Sequence, residues 1–295
     1  MALSHDQLHR WAERGDPVHA WYSYEMVKEA FTPSRLNGMT CAVYPQGSYA
    51  NKTNIVSDSD VDMVIALRSA FYPQKRELST RELEEYDKYY ERASVTWRDF
   101  REVVVRALRP DFFLEEGDKA VKVRSGLIRL PADVLIALDH RYYKSFPSFA
   151  GQQYIDGVQF YLPGGREIVN YPKRHMRACA QKNDRTSGRY RRVVRIAKNA
   201  RNSLVTDDAT PIGGGTAPSY FLESLLWNVP DSRYGGGLDQ AYRQAIGWLR
   251  ENSGSLAGMR FPNGMGPLFG ETPDTAWSQP KARAIIQALD RQLNS

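Results

Sequence analysis

Apolar residues recur along the chain either every second position or every third to fourth, and each kind of run predicts an element. Cys41-Ala42-Val43-Tyr44 is a short β-favouring run. Beyond Asp60 the chain alternates, so that Val61, Met63 and Ile65 share one strand face while Asp60, Asp62 and Val64 share the other. Ser4 with Gln7 predicts a capped helix that stops at Gly15, and Pro17 opens a second helix to about Phe31, with Trp21, Tyr24, Val27 and Phe31 as its apolar side. Ser79 with Glu82 and Thr96 with Asp99 mark two further helix starts. The second of these carries the stripe Trp97, Phe100, Val103, Val104, Ala107 and Leu108. Ala120 to Val123 and Leu127 to Leu138 then read as strands about a Ser125-Gly126 turn.

A break at Pro163-Gly164-Gly165 precedes a change to helices only, which predicts one domain over 1–165 and a helical one over 166–295. In the second, a helix from Arg189 to about Val205 buries Tyr190, Val193, Val194, Ala197 and Leu204, and a polar stripe of Arg191, Arg195, Lys198 and Asn202 runs beside them. After a loop through Gly213-Gly214-Gly215, a helix begins at Thr216-Ala217-Pro218-Ser219-Tyr220 with Phe221, Leu222, Leu225 and Leu226 inside. Leu238 to Glu251 and Pro280 to Leu293 predict two more amphipathic helices.

With 295 residues, 42% hydrophobic and 12% aromatic, the chain has enough apolar material for a folded globular protein of one large or two modest domains. Its 40 basic and 34 acidic residues leave +6, without the dense basic tract that a tRNA partner calls for. Cys41 and Cys179 have no metal-ligand spacing and predict no disulfide. The absence of an export-type N-terminus and of a long apolar run predicts a cytoplasmic protein with no membrane span.

The candidate chemistry lies between Gln46 and Ile65. Asp60 and Asp62, two apart on a strand, project side by side, and hard oxygen donors of this kind suit Mg²⁺ with bound phosphates. Gly47 permits close backbone approach to an anion, and Ser48 adds a hydroxyl and an N–H where a helix could begin. Asp133, alone in the apolar run Leu-Pro-Ala-Asp-Val-Leu-Ile-Ala, needs a partner to offset its burial and is the candidate third ligand. Asp139 is the rival, although its setting reads as a polar exit from the strand. His175 and Cys179 lie one helical turn apart with no second pair nearby, which predicts no soft-metal site.

The order strand, Gly-Ser, short helix, Asp-x-Asp strand resembles the DNA polymerase β-like nucleotidyltransferases. The wording GSYANKTNIVSDSDVDMVI is closer still to the bacterial CD-NTases related to cyclic GMP-AMP synthase, and the run Asn170 to His175 is similar to a stretch of their clade E. The resemblance implies an α/β polymerase β-like nucleotidyltransferase core with a helical second lobe and the active site in the cleft between them. Asp60, Asp62 and Asp133 would be the catalytic and metal-binding residues, holding two Mg²⁺ ions that Mn²⁺ can replace. Gln46, Gly47, Ser48, Lys198, Ser219 and Tyr220 would bind the nucleotide, with Lys198 and Ser219 on the triphosphate and Tyr220 stacked on a base. Asn170 matches the position from which an asparagine reads uracil in some clade E enzymes. The same carboxamide can pair with adenine or serve only the backbone.

The implied activity is synthesis of a cyclic dinucleotide from nucleoside triphosphates, with UTP among them, by a monomer that needs no nucleic acid. Its product would act on a separate effector protein in antiphage (CBASS) defence. Two other readings stay open: a linear transferase that tails RNA or nucleotidylates a small molecule, and a catalytically dead module that kept the fold.

Overall fold

Alternating runs pair into one mixed sheet, and the periodic runs form helices around it or in a bundle of their own. The computed structural model describes residues 3–56, 60–204, 217–270 and 277–294. In order they form α1 (His5–Trp11), α2 (Pro17–Glu29), β1 (Cys41–Pro45), α3 (Gly47–Asn51), β2 (Val61–Gln74), α4 (Thr80–Tyr89), α5 (Trp97–Leu108), β3 (Phe113–Glu116), β4 (Val121–Arg124) and β5 (Ala132–Ser145). There follow β6 (Gln153–Tyr161), β7 (Glu167–Asn170), α6 (Pro172–Arg185), α7 (Arg189–Leu204), α8 (Ser219–Trp227), α9 (Leu238–Glu251) and α10 (Gln279–Asn294). Parts of the expected pattern fall outside the described residues: Val205, the loop through Gly213-Gly214-Gly215, and Thr216.

The chain divides into two compact units, one from Met1–Pro17, Gly47–Asp58 and Arg174–Ser295, the other from Val18–Gln46 and Ser59–Lys173. The expected single boundary after residue 165 differs from this division, which crosses the chain repeatedly.

The sheet belongs to the second unit. β1 runs antiparallel to β2, β2 parallel to β5, and β5 antiparallel to β4, with β3 beyond β4. A parallel pair needs a crossover, and the chain from β2 to β5 supplies it through α4 and α5. The α5 stripe is buried at Phe100, Val103, Val104, Ala107 and Leu108, and Trp97 donates its indole N–H to the Ile136 carbonyl at 2.7 Å. β4 lies along the start of β5, and β6 takes over from Leu138 onward, with β7 beyond it. Tyr86 packs against Tyr90, Tyr143 and Phe146 in a small aromatic cluster.

Four expectations for this unit change. The strand expected from Leu127 begins at Ala132 and continues to Ser145, because β6 pairs its second half. Asp139 is therefore mid-strand, not at an exit. Trp21 is 59% exposed, and α2 buries Ala20, Ser23, Tyr24 and Val27 instead. The Pro163-Gly164-Gly165 break is a hairpin turn between β6 and β7, closed by Leu162 N–H on the Arg166 carbonyl at 2.8 Å, so helices alone begin only at Pro172.

The other unit is helical. Its core joins Leu8 of α1 and Ala12 just after it to Tyr190, Val193, Val194 and Ala197 of α7, Phe221, Leu222 and Leu225 of α8, and the inner faces of α9 and α10. Among the described residues no helix is long and apolar enough to cross a membrane.

Candidate active site

Asp60 immediately precedes β2, and Asp62 is its second residue. Asp62 pairs with Asp133 across the parallel ladder, and Asp133 pairs with Lys122 across the antiparallel one. Paired residues present their side chains on the same face, so Asp62, Asp133 and Lys122 form a row across three strands. Asp60, two residues before Asp62, shares that face. On the far side of β2, the Gln46 amide donates to the Asp62 carbonyl at 2.9 Å, extending the β1–β2 ladder by one residue.

The Lys122 ammonium lies 2.8 Å from Asp60 Oδ2 and 3.8 Å from Asp133 Oδ1. Its hydrogen bond to Asp60 raises its own pKa. Burial pushes the Asp133 carboxyl up from its ordinary value, with Lys122 opposing and Asp60 reinforcing the rise. Three carboxylates on one sheet face, two of them already bridged by a cationic group, fit a divalent metal of the Mg²⁺ or Mn²⁺ type. Asp139 belongs to another arrangement. It is 7% exposed and forms an ion pair with Arg68 Nε at 3.1 Å.

In the helical unit, Gly47 opens α3 with φ +66°, in the left-handed region that a Cβ disfavours. The Ser48 carbonyl accepts from Thr53 N–H at 2.8 Å. The residues from Asn51 to Asn54 are held from several sides. Arg195 donates to the Lys52 carbonyl at 2.7 Å, Lys198 to the Thr53 carbonyl at 3.1 Å, and Arg14 to Asn54 Oδ1 at 2.7 Å. Glu223 accepts from Asn51 Nδ2 at 2.8 Å and from Thr53 Oγ1 at 3.1 Å.

These contacts bury part of the polar stripe of α7. Lys198 is 1% exposed and Arg195 also reaches the Ala12 carbonyl at 2.6 Å. The reason is that Lys52, at φ +59°, turns the chain out of α3 and leaves carbonyls that buried donors must satisfy.

Ser219 is the first residue of α8, and the preceding Pro218 provides no side-chain cap. The Phe221 and Leu222 amides donate to the Pro218 carbonyl at 2.9 and 3.1 Å, so the first-turn amides suited to an anion are those of Ser219 and Tyr220. Tyr220 is 40% exposed, with its ring stacked on His175 at 4.6 Å between centroids. His175 Nε2 lies 2.9 Å from Glu223 Oε2, and with Cys179 these residues offer ligand atoms within 4.8 Å of one another. Glu223 already receives three donors, so the trio reads as a hydrogen-bonded support. Asn170 is the exposed last residue of β7, paired with Val158.

The structure thus brings Asp60, Asp62 and Asp133 together beside Gln46, and in the other unit gathers Lys198 and Glu223 about the segment that follows Gly47 and Ser48. The sequence reading did not single out Lys122 or Glu223. Lys122 sits in Val-Lys-Val-Arg, whose alternation marks it as facing away from the core, but only the strand register reveals what it faces.

Residues 177–294 match the cGAS/DncV-like nucleotidyltransferase C-terminal helical domain. The cyclic UMP-AMP synthase of Rhodothermus marinus is 37% identical, across 98% of this chain and 97% of that protein. The chain is a CD-NTase. It belongs to a family of metal-dependent nucleotidyltransferases, in keeping with the acidic row. The cyclic nucleotide synthase CdnE01 of Staphylococcus haemolyticus is 31% identical over 100% of this CD-NTase and 99% of its own length. The solved structure of the R. marinus CdnE c-UMP-AMP synthase with Apcpp and Upnpp superposes with a TM-score of 0.84 at 36% identity, covering 97% of this chain and 95% of that one. The Elizabethkingia meningoseptica CdnE structure, with a TM-score of 0.78 at 23% identity, covers 99% of both chains and shares the fold.

Proposed function

We propose that this CD-NTase joins two nucleoside triphosphates into a cyclic dinucleotide and that UTP is one of its substrates. The observation that carries the reading is the single-faced row of Asp60, Asp62 and Asp133, in a chain similar over nearly its whole length to a cyclic UMP-AMP synthase. The three carboxylates would hold two Mg²⁺ ions, or Mn²⁺ in their place. Bound there, such ions neutralise the triphosphate and acidify the attacking ribose hydroxyl.

Each of the chain's own groups has a defined task. Lys122 balances Asp60 and Asp133, keeping the carboxylates convergent before cations arrive. Gly47 gives the backbone close approach to phosphate, and Ser48 and the first turn of α8 at Ser219 supply donors to it. Lys198 acts at one remove, by fixing the Thr53 carbonyl and so the segment behind Ser48. Tyr220 offers a ring face for a base, and the Asn170 carboxamide donates to uracil O4 while accepting from N3–H. A ribose hydroxyl of the acceptor attacks the α-phosphorus, a P–O bond forms, and the bond to pyrophosphate breaks. A second transfer of the same kind closes the ring. The product then serves a separate effector protein in antiphage defence, and neither nucleic acid nor a membrane enters the reaction.

Incubation with Mg²⁺ and each labelled triphosphate, followed by phosphatase, tests the reading. A label that survives phosphatase in a small product is expected, and Asp60→Asn with Asp62→Asn should abolish it while leaving the thermal transition in place. Asp133→Asn should lower turnover by at least about a hundredfold. Phosphatase-labile or polymeric products, or an active double variant, would contradict it.

A further inference from the structure

The exposed ring of Tyr220 rests on a buried polar chain that the reaction does not itself require. His175 lies beneath it, 4% exposed, with the rings tilted by only 28°. Its Nε2 is fixed by Glu223 Oε2 at 2.9 Å, and Glu223, also 4% exposed, is fixed in turn by Asn51 at 2.8 Å and Thr53 at 3.1 Å. The Tyr190 hydroxyl donates to the Glu223 backbone carbonyl at 2.9 Å, so the residue is held at both ends. A phenyl ring would fill the same space at less cost, because His175 Nδ1 is buried with no hydrogen-bond partner. An imidazole whose second nitrogen is locked differs from a phenyl ring in one useful respect: its plane cannot rotate freely. A ring stacked on it inherits that orientation.

We propose that Glu223 and His175 are positioning residues for nucleotide recognition: the carboxylate orients the imidazole, and the imidazole sets the plane in which Tyr220 presents itself to a base. This deepens the function proposed above and rests on Tyr220 being a base platform. The same carboxylate ties that platform to Asn51 and Thr53, at and just beyond the end of α3, which Gly47 and Ser48 open. One buried residue therefore couples the base side of nucleotide recognition to the segment behind the phosphate side.

A double-mutant cycle on the full-length protein tests the inference, with kcat and KM for product formation measured at saturating Mg²⁺ for Tyr220→Ala, Glu223→Gln, His175→Gln and the two pairs containing Tyr220→Ala. Loss of base stacking should lower kcat/KM about tenfold in Tyr220→Ala, mainly through KM. Glu223→Gln and His175→Gln should each give a similar KM-dominated loss. His175→Gln should add no more than about twofold once Tyr220 is already Ala, since the residue it acts through is gone, whereas Glu223→Gln keeps a further loss through Asn51 and Thr53. Losses that multiply in the Tyr220→Ala, His175→Gln variant, to about a hundredfold, would overturn the inference, as would a Tyr220→Ala enzyme with unchanged KM. If Glu223→Gln does not fold, the His175→Gln arm decides alone. A wild-type protein that yields no cyclic product is a different outcome, and it removes the proposed function itself.

Discussion

Lys122 stands among the carboxylates of the sheet face, within hydrogen-bonding distance of Asp60 and on the same face as Asp133. Its ammonium offsets a repulsion that would otherwise favour dispersal of the carboxylates or protonation of one of them. Lys122→Met should therefore lower the metal-free thermal transition by a few degrees, on the order of 1 kcal/mol. Added Mg²⁺ should stabilise the variant more than the wild type. Differential scanning with and without Mg²⁺ checks this, and equal Mg²⁺-induced shifts would refute it. Asn170 makes the second prediction at this scale. Asn170→Ser keeps a short polar group but loses the paired donor and acceptor, so incorporation should move from pyrimidine toward purine with activity retained, as read by product analysis with all four triphosphates. The acidic residues were legible in the sequence because alternation puts Asp60 and Asp62 on one face. Choosing Asp133 over Asp139 depended on their settings, and in the structure Asp139 is a buried partner of Arg68. Lys122 and Glu223 were not legible, since their partners lie 62 and 172 residues away in the chain.

Local signals defined several elements well. All three predicted caps form, Ser79 with Glu82 and Thr96 with Asp99 as reciprocal capping boxes opening α4 and α5 and Ser4 accepting from the Gln7 amide at α1, because cap and partner are only three residues apart. The β6–β7 hairpin was missed because Asp156 and Gly157 interrupt the apolar alternation of β6, and because Pro163-Gly164-Gly165 has the composition of a linker. Gly164 and Gly165 take φ of +89° and +85°, values a tight turn needs. The end of α6 carries a prediction of its own. Lys182, whose side chain is 3% exposed, donates to the Val229 carbonyl and to Asp231, each at 2.7 Å, and Arg185 reaches the same carboxylate at 2.5 Å. Partial burial opposes ionisation of Asp231, but the hydrogen bonds from Arg185 and Lys182 outweigh it and hold the carboxyl below its ordinary value. A depressed carboxyl pKa contributes stability above the unfolded value near 4, and that contribution is lost as pH falls through the folded one. Asp231→Asn should thus destabilise the protein by about 1–2 kcal/mol at pH 7, the low end reflecting the carboxylate's one-third exposure. The gap between variant and wild type should close as denaturation is measured at progressively lower pH below 4. A gap that stays constant would show the charge to be irrelevant.

The periodicities that reveal elements act over a few residues, and they do not say which elements assemble together. The N-terminal segment through Pro17 and the Gly47–Asp58 segment both join the unit built mainly from the last third of the chain. What draws them there is long-range. Arg195 binds the Ala12 and Lys52 carbonyls, Lys198 binds Thr53, and Leu8 and Ala12 enter the helical core. The residues with which the nucleotidyltransferase signature begins are thereby tied to helices more than 130 positions later. Taken as a whole, the molecule is a scaffold that closes a ring between two nucleotides. The most direct measurement is the intact mass of the product made from unlabelled ATP and UTP with Mg²⁺, before any digestion. A cyclic dinucleotide has the mass of AMP plus UMP less two waters, because both phosphates are diesters and no terminal phosphate remains. That mass, absent from the Asp60→Asn, Asp62→Asn protein, is the predicted result. A product heavier by one water or carrying a terminal triphosphate, or one that contains no uridine, would contradict the account.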